Sequence, residues 1–184
     1  EAMSIGCKFA ESLQKGLRSM ETGLTGLNEV QIEGAEGGNK DAVKAALTVP
    51  SPDRLLVIAQ AFRHGLTLDE VYTASKYDPW FLEQIANIVR AEEQIRKDGL
   101  PKNAPELLKI KKMGFSDERL AELVNGTAAQ ILQIRNTLNV HPVYKRVDTC
   151  AAEFPSKTPY MYSTYEGYIG QPGECEADPV SYTH

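Results

Sequence analysis

Apolar residues recur at helical spacing through most of the chain. Between Cys7 and Glu21 they lie four, four and three positions apart, which predicts one face of a helix that ends near Gly23. The residues of this face are Phe9, Leu13, Leu17 and Met20. The next segment, residues 22–40, is rich in glycine and acidic residues and keeps no period, so it predicts a loop or linker.

Capping residues divide the part beyond this loop into successive helices. Each predicted start has a Ser, Thr or Asp cap, and Pro takes the first helical position in two of them. These starts are Ser51–Pro52, Thr67, Asp78–Pro79, Ser116 and Thr127. Thr67 with Glu70, and Thr127 with Gln130, have the spacing of a capping box, and the helix from Thr67 is predicted to be short, through Val71. Glycine follows the predicted ends, at Gly65, Gly99, Gly114 and Gly126.

The predicted helices have apolar stripes that indicate their buried faces. In chain order the stripes are Leu55, Ala59 and Phe62; Phe81, Ile85, Ile88 and Ile95; Leu107 and Leu108; Leu120 and Leu123; and Ile131, Ile134 and Leu138. No alternating run is long enough to indicate a sheet. The pattern therefore predicts an all-α fold, a compact bundle of short helices joined by short loops.

The pattern changes after His141. Four prolines and five of the eight tyrosines fall in the last 30 residues, and helical periodicity is lost. Tyrosine combines a large apolar ring with a polar tip, so this Tyr/Pro-rich segment is predicted to be an extended arm that lies across another surface.

Composition narrows the class of protein. The chain has 184 residues, 42% hydrophobic and 24% charged, which is typical of a soluble globular domain. We find no apolar stretch of about 20 residues and no signal peptide, so we expect a cytoplasmic protein with no membrane partner. Cys7, Cys150 and Cys175 have no CxxC partner and are expected to be free thiols. A formal net charge of −5 argues against nucleic acid as a main partner.

Histidine and cysteine suggest a few sites, and for each a structural role is the better interpretation. Cys150 and His141 are the residue types of a nucleophile and its base, but nothing in the sequence brings them together, so we predict that Cys150 is buried packing. His64 is predicted to cap a helix end, where a cation favours the helix dipole. His184 is the terminal residue and could be an artificial addition.

The helix pair between Ser116 and Asn139 has the length of a helix-turn-helix motif. Arg135 is the only cation from Thr127 onward in this pair, so a packed helical hairpin is the better interpretation.

Three further stretches suggest no chemistry. Trp80 and Phe81 are predicted to lie in the core, with an exposed aromatic anchor as the alternative. The GAEGG run at residues 34–38 lacks the Lys and Ser/Thr of a phosphate-binding loop. The lysines at 109, 111 and 112 are predicted to form a solvated face. We therefore expect no catalytic, cofactor-binding or metal-binding residue in this chain.

Several long stretches resemble one family, the large subunit of carbamoyl phosphate synthetase. They are EAMSIG at 1–6, ESLQKGLRSME at 11–21, DPWFLEQI at 78–85, KKMGFSDERLA at 111–121, HPVYKRVDTCAAEF at 141–154, YMYSTYE at 160–166 and ECEADP at 174–179. The resemblance is to the helical oligomerisation domain between the two ATP-grasp halves of that subunit. The chain departs from the family at Cys7, where a basic residue is usual, and residues 28–40 have no clear counterpart.

The resemblance implies a division of the chain. Residues 1–25 would be the tail of the preceding half with a connecting helix, and residues 26–140 the oligomerisation domain. Residues 141–178 would be an extended strap, with Val143, Val147 and Cys150 packed inward and Lys145, Arg146 and Asp148 in polar contacts. Residues 179–184 would be the start of the following half or an artificial end.

The resemblance also implies a function for the parent enzyme. It would make carbamoyl phosphate from bicarbonate, glutamine-derived ammonia and two ATP, with Mg or Mn, for arginine and pyrimidine synthesis. Its partners would be the flanking halves and the glutaminase small subunit. This chain would be a non-catalytic structural domain without a cofactor. The alternative is a free-standing helical interaction or regulatory domain of the helix-turn-helix type.

Self-association is expected as well, most simply as a symmetric dimer. Apolar residues outside the main stripes exceed what short helices readily cover in one small core. They are Leu56, Val57, Trp80, Val89 and Leu132.

Overall fold

The computed structural model describes residues 2–150, 153–154, 160–168 and 171–175. Within them the chain forms α1 (Phe9–Ser19), α2 (Lys40–Thr48), α3 (Arg54–Arg63), α4 (Leu68–Ser75), α5 (Pro79–Asp98), α6 (Ala104–Lys111), α7 (Asp117–Leu123) and α8 (Ala128–Thr137). A short 3₁₀ turn, Glu36–Gly38, precedes α2. The predicted mostly helical fold is confirmed. No helix in the described part of the chain is both long enough and apolar enough to cross a membrane.

α5 is the central element of the bundle. It has 20 residues, begins with Asp78 accepting a hydrogen bond from the Trp80 N–H, and ends at Gly99 as predicted. Helices α1, α3, α4 and α7 pack against it, while α2 lies on α3 and α4, and α8 lies on α7. Its buried apolar side chains are Leu82, Ile85, Ile88, Val89 and Ile95. The core is therefore a single cluster arranged around one long helix.

The capping-box predictions are confirmed. Thr67 accepts from the Glu70 N–H and the Glu70 side chain accepts from the Thr67 N–H at the start of α4. Thr127 and Gln130 do the same at the start of α8. Because both partners lie within one turn, the sequence specifies these helix starts without help from tertiary contacts.

Two helix starts differ from the prediction. α2 was not predicted, although Asn39 caps it and its apolar Val43 and Leu47, four positions apart, are fully buried. α3 begins at Arg54 rather than at Pro52. Ser51 instead begins a turn, in which its carbonyl accepts the Arg54 N–H. A turn over residues 51–54 thus takes the place of the first two predicted helical residues.

The predicted buried faces are partly wrong. α1 buries Ala10, Gln14 and Leu17, whereas Met20 lies beyond the helix and is exposed. In α3, Leu56 is buried although it lies outside the predicted stripe, as is Val89 in α5. Helices that are covered on several sides bury more than one stripe, so the spacing alone indicates only part of the core.

The arm contains short strands that were not predicted. β1 (Val143–Arg146) pairs antiparallel with β2 (Met161–Thr164), with Val143 opposite Thr164. β3 (Gly167–Tyr168) pairs with β4 (Gln171–Pro172) in the same sense. The expectation of no sheet is therefore wrong for this part, since four residues are too few to show a clear alternation.

Gly114 allows a close approach between α1 and the loop after α6. It has a φ of +92°, and an added Cβ would lie 2.8 Å from the Glu11 Cα and 3.0 Å from the Glu11 carbonyl oxygen. Both contacts are with backbone atoms, which cannot move aside as a flexible side chain can. Only glycine meets both requirements at this position.

We expect Gly114→Ala to destabilise the protein more than Gly23→Ala, a control with a φ of +83° and no atom within 4 Å of an added Cβ. The control should lose about 1 kcal/mol for its backbone conformation, and Gly114→Ala about 1–3 kcal/mol more because of the clash. Urea unfolding measures both. Equal losses would show that the contact with α1 is unimportant.

Candidate functional site

A charge network lies at the centre of the described domain. Glu92 of α5 has no exposed surface, and its carboxylate accepts hydrogen bonds from Arg119 Nε at 2.8 Å and from an Arg63 terminal nitrogen at 2.7 Å. Arg119 of α7 is 1% exposed, and its terminal nitrogens donate to Glu29 and Glu122 at 3.0–3.1 Å. The network thus joins α3, α5 and α7 to the loop that carries Glu29.

The same loop is held by backbone contacts. Arg63 and Arg119 both donate to the Leu27 carbonyl, the latter at 3.2 Å. Ser116 donates to the Thr25 carbonyl at 3.1 Å and also accepts the Arg119 N–H as the cap of α7. The loop predicted to be a linker is therefore in part an ordered component of the core, since Leu27 is fully buried.

The network sets the electrostatics of Glu29. Partial burial raises the pKa of Glu29, but the hydrogen bonds and charge of Arg119 outweigh this effect and lower the pKa to about 2. Burial lowers the pKa of Arg119, but its carboxylate partners, Glu92 first, raise it above its usual value. Both groups are therefore charged throughout the physiological range.

A second charged cluster ties the arm to the body. Lys111 is 4% exposed and donates to the Phe115 carbonyl and to Asp117, the latter at 2.9 Å. Arg135 also donates to Asp117, at 2.8–3.0 Å. The two cations face the ring of Tyr165, with centroid distances of 5.1 Å for Lys111 and 6.0 Å for Arg135. Tyr165 directly follows β2, so this cluster anchors the arm.

Burial sets the direction of two pKa shifts in this cluster. Desolvation lowers the pKa of Lys111, against the effect of Asp117. Desolvation likewise raises the pKa of Tyr165, to about 12, so the phenol is neutral. The prediction that Lys111 belongs to a solvated face is wrong, although Lys109 is exposed as predicted. Lys112 donates to the Gly167 carbonyl at 2.6 Å, so it too contacts the arm.

Arg135 has a structural role in the hairpin of α7 and α8. It is 9% exposed, and it donates to the Val140 carbonyl at 3.2 Å in addition to Asp117. Arg135, which was considered as a nucleic-acid contact, thus makes its hydrogen bonds within the domain. The predicted packed hairpin is what the structure contains, since α7 and α8 lie against each other.

Trp80 and Phe81 do not lie in the core, and that prediction is wrong. They are 53% and 42% exposed, while the neighbouring Leu82 is fully buried in their place. Together with Phe9 they form a cluster of edge-to-face rings with centroids 5.0–5.5 Å apart. The first turn of α5 therefore displays an aromatic surface, which was the alternative interpretation of the sequence.

The remaining candidates are not brought together into a site. Cys150 is half-buried rather than buried, and its sulfur lies 3.9 Å from the Thr149 hydroxyl, while His141 is exposed. His64 follows α3 as the predicted cap, and its ring contacts Gln60 at 3.4 Å. Cys7, Cys150 and Cys175 are free thiols as predicted. His184 lies outside the described residues.

The strap residues have mixed surroundings. Val143 and Val147 are half-buried like Cys150, so inward packing is only partial. Lys145 makes the predicted polar contact, an ion pair of 3.1 Å with Glu166. Asp148 accepts the Cys150 N–H at 2.9 Å, which closes a local turn.

The geometry defines a class of protein, a helical packing domain whose buried charges hold its own elements together. In residues 2–150 and the described parts of the arm, no group of three or more His, Cys, Asp or Glu residues could hold a metal ion. The family model for the carbamoyl-phosphate synthetase large chain, oligomerisation domain, matches residues 1–139. The chain belongs to this family.

Relatives agree with the family model. The chain is similar to the carbamoyl phosphate synthase large chain of Brucella melitensis, with 57% identity over 94% of this chain and 15% of the relative. It is 54% identical to that of Mesorhizobium japonicum, over 90% of this chain and 15% of the relative. It is 45% identical to that of Xanthomonas campestris, over 97% of this chain and 16% of the relative. The chain thus spans about 15% of the length of these relatives.

Sequence reasoning missed the charge network. Glu92 and Arg119 are 27 residues apart, and Arg63 and Glu29 belong to two further segments. One signal was available: Glu92 lies four positions after Ile88 and three before Ile95, on an otherwise apolar helix face. An acidic residue in such a stripe indicates a buried partner.

We expect Glu92→Gln to lower the free energy of unfolding by about 3–5 kcal/mol, because two buried guanidinium groups lose their shared counter-charge. Glu122→Gln is the control, since Glu122 binds the same Arg119 but is 43% exposed, and it should cost at most about 1 kcal/mol. Denaturant unfolding of both variants measures the difference. Similar small losses would contradict a dominant role for Glu92.

The stability contribution of Glu29 should depend on pH. Its pKa in the folded protein is about 2, below its usual value of 4.5, so the stabilisation is complete above pH 4.5 and is lost as pH falls towards 2. The stability difference between the protein and Glu29→Gln should shrink across this window. Unfolding free energies at a series of pH values test this. A constant difference would rule out the ionic contribution.

Proposed function

We propose that this chain is a structural and assembly domain of an enzyme that makes carbamoyl phosphate from bicarbonate, glutamine-derived ammonia and two ATP. The match of the oligomerisation-domain model to residues 1–139 is the observation that carries this proposal. Because the relatives are about seven times longer than the match, with coverage of 15%, the activity belongs to the parent and not to this chain. The relatives' length also disfavours a free-standing regulator.

The resemblance to the family also assigns each range of this chain to a part of the parent enzyme. Residues 1–25 would connect the preceding ATP-grasp half, residues 26–140 would be the association domain, residues 141–178 the strap, and residues 179–184 the start of the following half. ATP and Mg or Mn would bind in the halves, and the glutaminase small subunit would be a further partner. We place the parent in the cytoplasm, in arginine and pyrimidine synthesis.

The buried charges support a non-catalytic role for this domain. Glu92, Lys111 and Asp117 have the chemistry of acid–base groups, but their hydrogen bonds are made with one another, with Arg119 and with a backbone carbonyl. A catalytic group must reach a substrate. The role that suits such groups is to fix the shape of a rigid block.

We expect the 184-residue chain to self-associate, as a domain for oligomerisation should. Sedimentation equilibrium across a wide range of concentrations should give an average mass that rises from the monomer towards a closed dimer. A mass that stays at 20.3 kDa at high micromolar concentration would overturn the assembly role of this chain. The domain would then be a spacer between the halves.

A further inference from the structure

An apolar groove lies beside the aromatic cluster. It has a volume of about 650 Å³ and runs between α1, α5 and α6. Its apolar lining comes from Ala10, Ala91, Pro105, Leu108 and Met113. A groove of this size is large enough to receive an aromatic side chain.

One face of α5 joins the groove to Trp80. Gln84, Asn87 and Ala91 line the groove, and Trp80 is four positions before Gln84 on the same helix. Successive spacings of four, three and four keep all of them on one helical face. The distance along the axis from Trp80 to Ala91 is about 16 Å. A projecting ring and an apolar groove therefore lie on one surface, one beyond the other.

A surface with a projection and a matching hollow can pair with itself. If two copies meet with their α5 helices antiparallel around a two-fold axis near Gln84 and Asn87, each Trp80 lies over the groove of the other copy. A two-fold contact of this kind is closed, because the Trp80 ring of each copy occupies the groove of the other and neither feature is left to bind a third copy. Tryptophan buried in a pocket is a typical dominant contact of such interfaces.

Acidic residues lie close to Trp80 in the sequence, and lysines line the groove. Asp78, which caps α5, and Glu83 on α5 are both exposed and lie on either side of Trp80 in the sequence. Lys8 and Lys109, also exposed, lie at the groove. The antiparallel arrangement brings the acidic surroundings of each Trp80 towards the basic edge of the other groove, which favours this pairing over a parallel one.

We propose that the face formed by Trp80, Phe81 and the groove beside them binds the same face of a second copy of this chain. The inference rests on the self-association proposed above and identifies the surface responsible for it. The half-exposed rings of Trp80 and Phe81 become buried in the dimer. Leu132, which is 45% exposed on α8, has no part in it.

Trp80 is the only tryptophan in the chain, so its fluorescence reports on this surface alone. We expect acrylamide quenching of Trp80 to fall, and its emission to shift to shorter wavelength, over the concentration range in which sedimentation shows dimer formation. Trp80→Ala should raise the dimer dissociation constant roughly thirty-fold or more. Leu132→Ala, the matched control at another exposed apolar residue, should leave it unchanged.

A charge exchange tests the arrangement without removing the ring. Glu83→Lys and Lys109→Glu should each weaken the dimer, and the double variant should recover most of the loss. Circular dichroism and urea unfolding establish that every variant is folded. Loss of dimer in the single variants with recovery in the double variant supports direct pairing of these two positions.

The outcomes separate this inference from the assembly role. A chain that stays monomeric overturns both. A chain that dimerises with unchanged quenching of Trp80, and with an unchanged dissociation constant in Trp80→Ala, overturns only the choice of surface. Protection of Trp80 in a full-length large chain at concentrations where that chain is monomeric also overturns it, because the occupant is then another part of the same polypeptide.

Discussion

The placement of Glu92, a carboxylate without exposed surface, between Arg63 and Arg119 constrains the rest of the domain. A buried charge is tolerated only where its partners approach with good geometry, so the contacts of Glu92 restrict how α3, α5 and α7 can be placed relative to one another. The loop around Leu27 completes the same network through its carbonyl and through Glu29. Apolar packing supplies most of the stability, whereas loss of one partner from this network would leave a buried charge without compensation.

Polar contacts also hold the segment before α1 and the arm after α8 in place. Lys15 of α1 donates both to the Ile5 carbonyl, at 3.0 Å, and to the Ser163 carbonyl of β2. Cys7 and Thr164 meet nearby, with sulfur and oxygen 3.6 Å apart. The segment before α1 and the arm after α8 therefore lie side by side on one helix. A shift of either segment changes the contacts of the other.

The features that were predicted correctly depend on residues that are close in sequence. The features that were missed depend on contacts between distant segments. The capping boxes at Thr67 and Thr127 formed as expected because each is complete within four residues. Ile85, Ile88 and Ile95 of α5 are buried as predicted, but at the N-terminal end of the helix burial shifts by one position, from Phe81 to Leu82. That shift depends on which neighbouring helices cover α5. Lys111 and the β1–β2 pair were missed for the same reason, since their partners are supplied by other segments.

The pairing of charged side chains inside the domain affects which groups its surface offers to a partner. Because Arg119, Lys111 and Arg135 are engaged with carboxylates inside the domain, they are not available for anionic partners outside it. The exposed first turn of α5 instead offers aromatic rings, on a helix whose other face is fixed in the core by Leu82, Ile85 and Glu92. A rigid backing of this kind reduces the ordering cost of association, since the rings start close to their bound positions. The buried network and the exposed rings thus share one helix, and the first makes the second suited to binding.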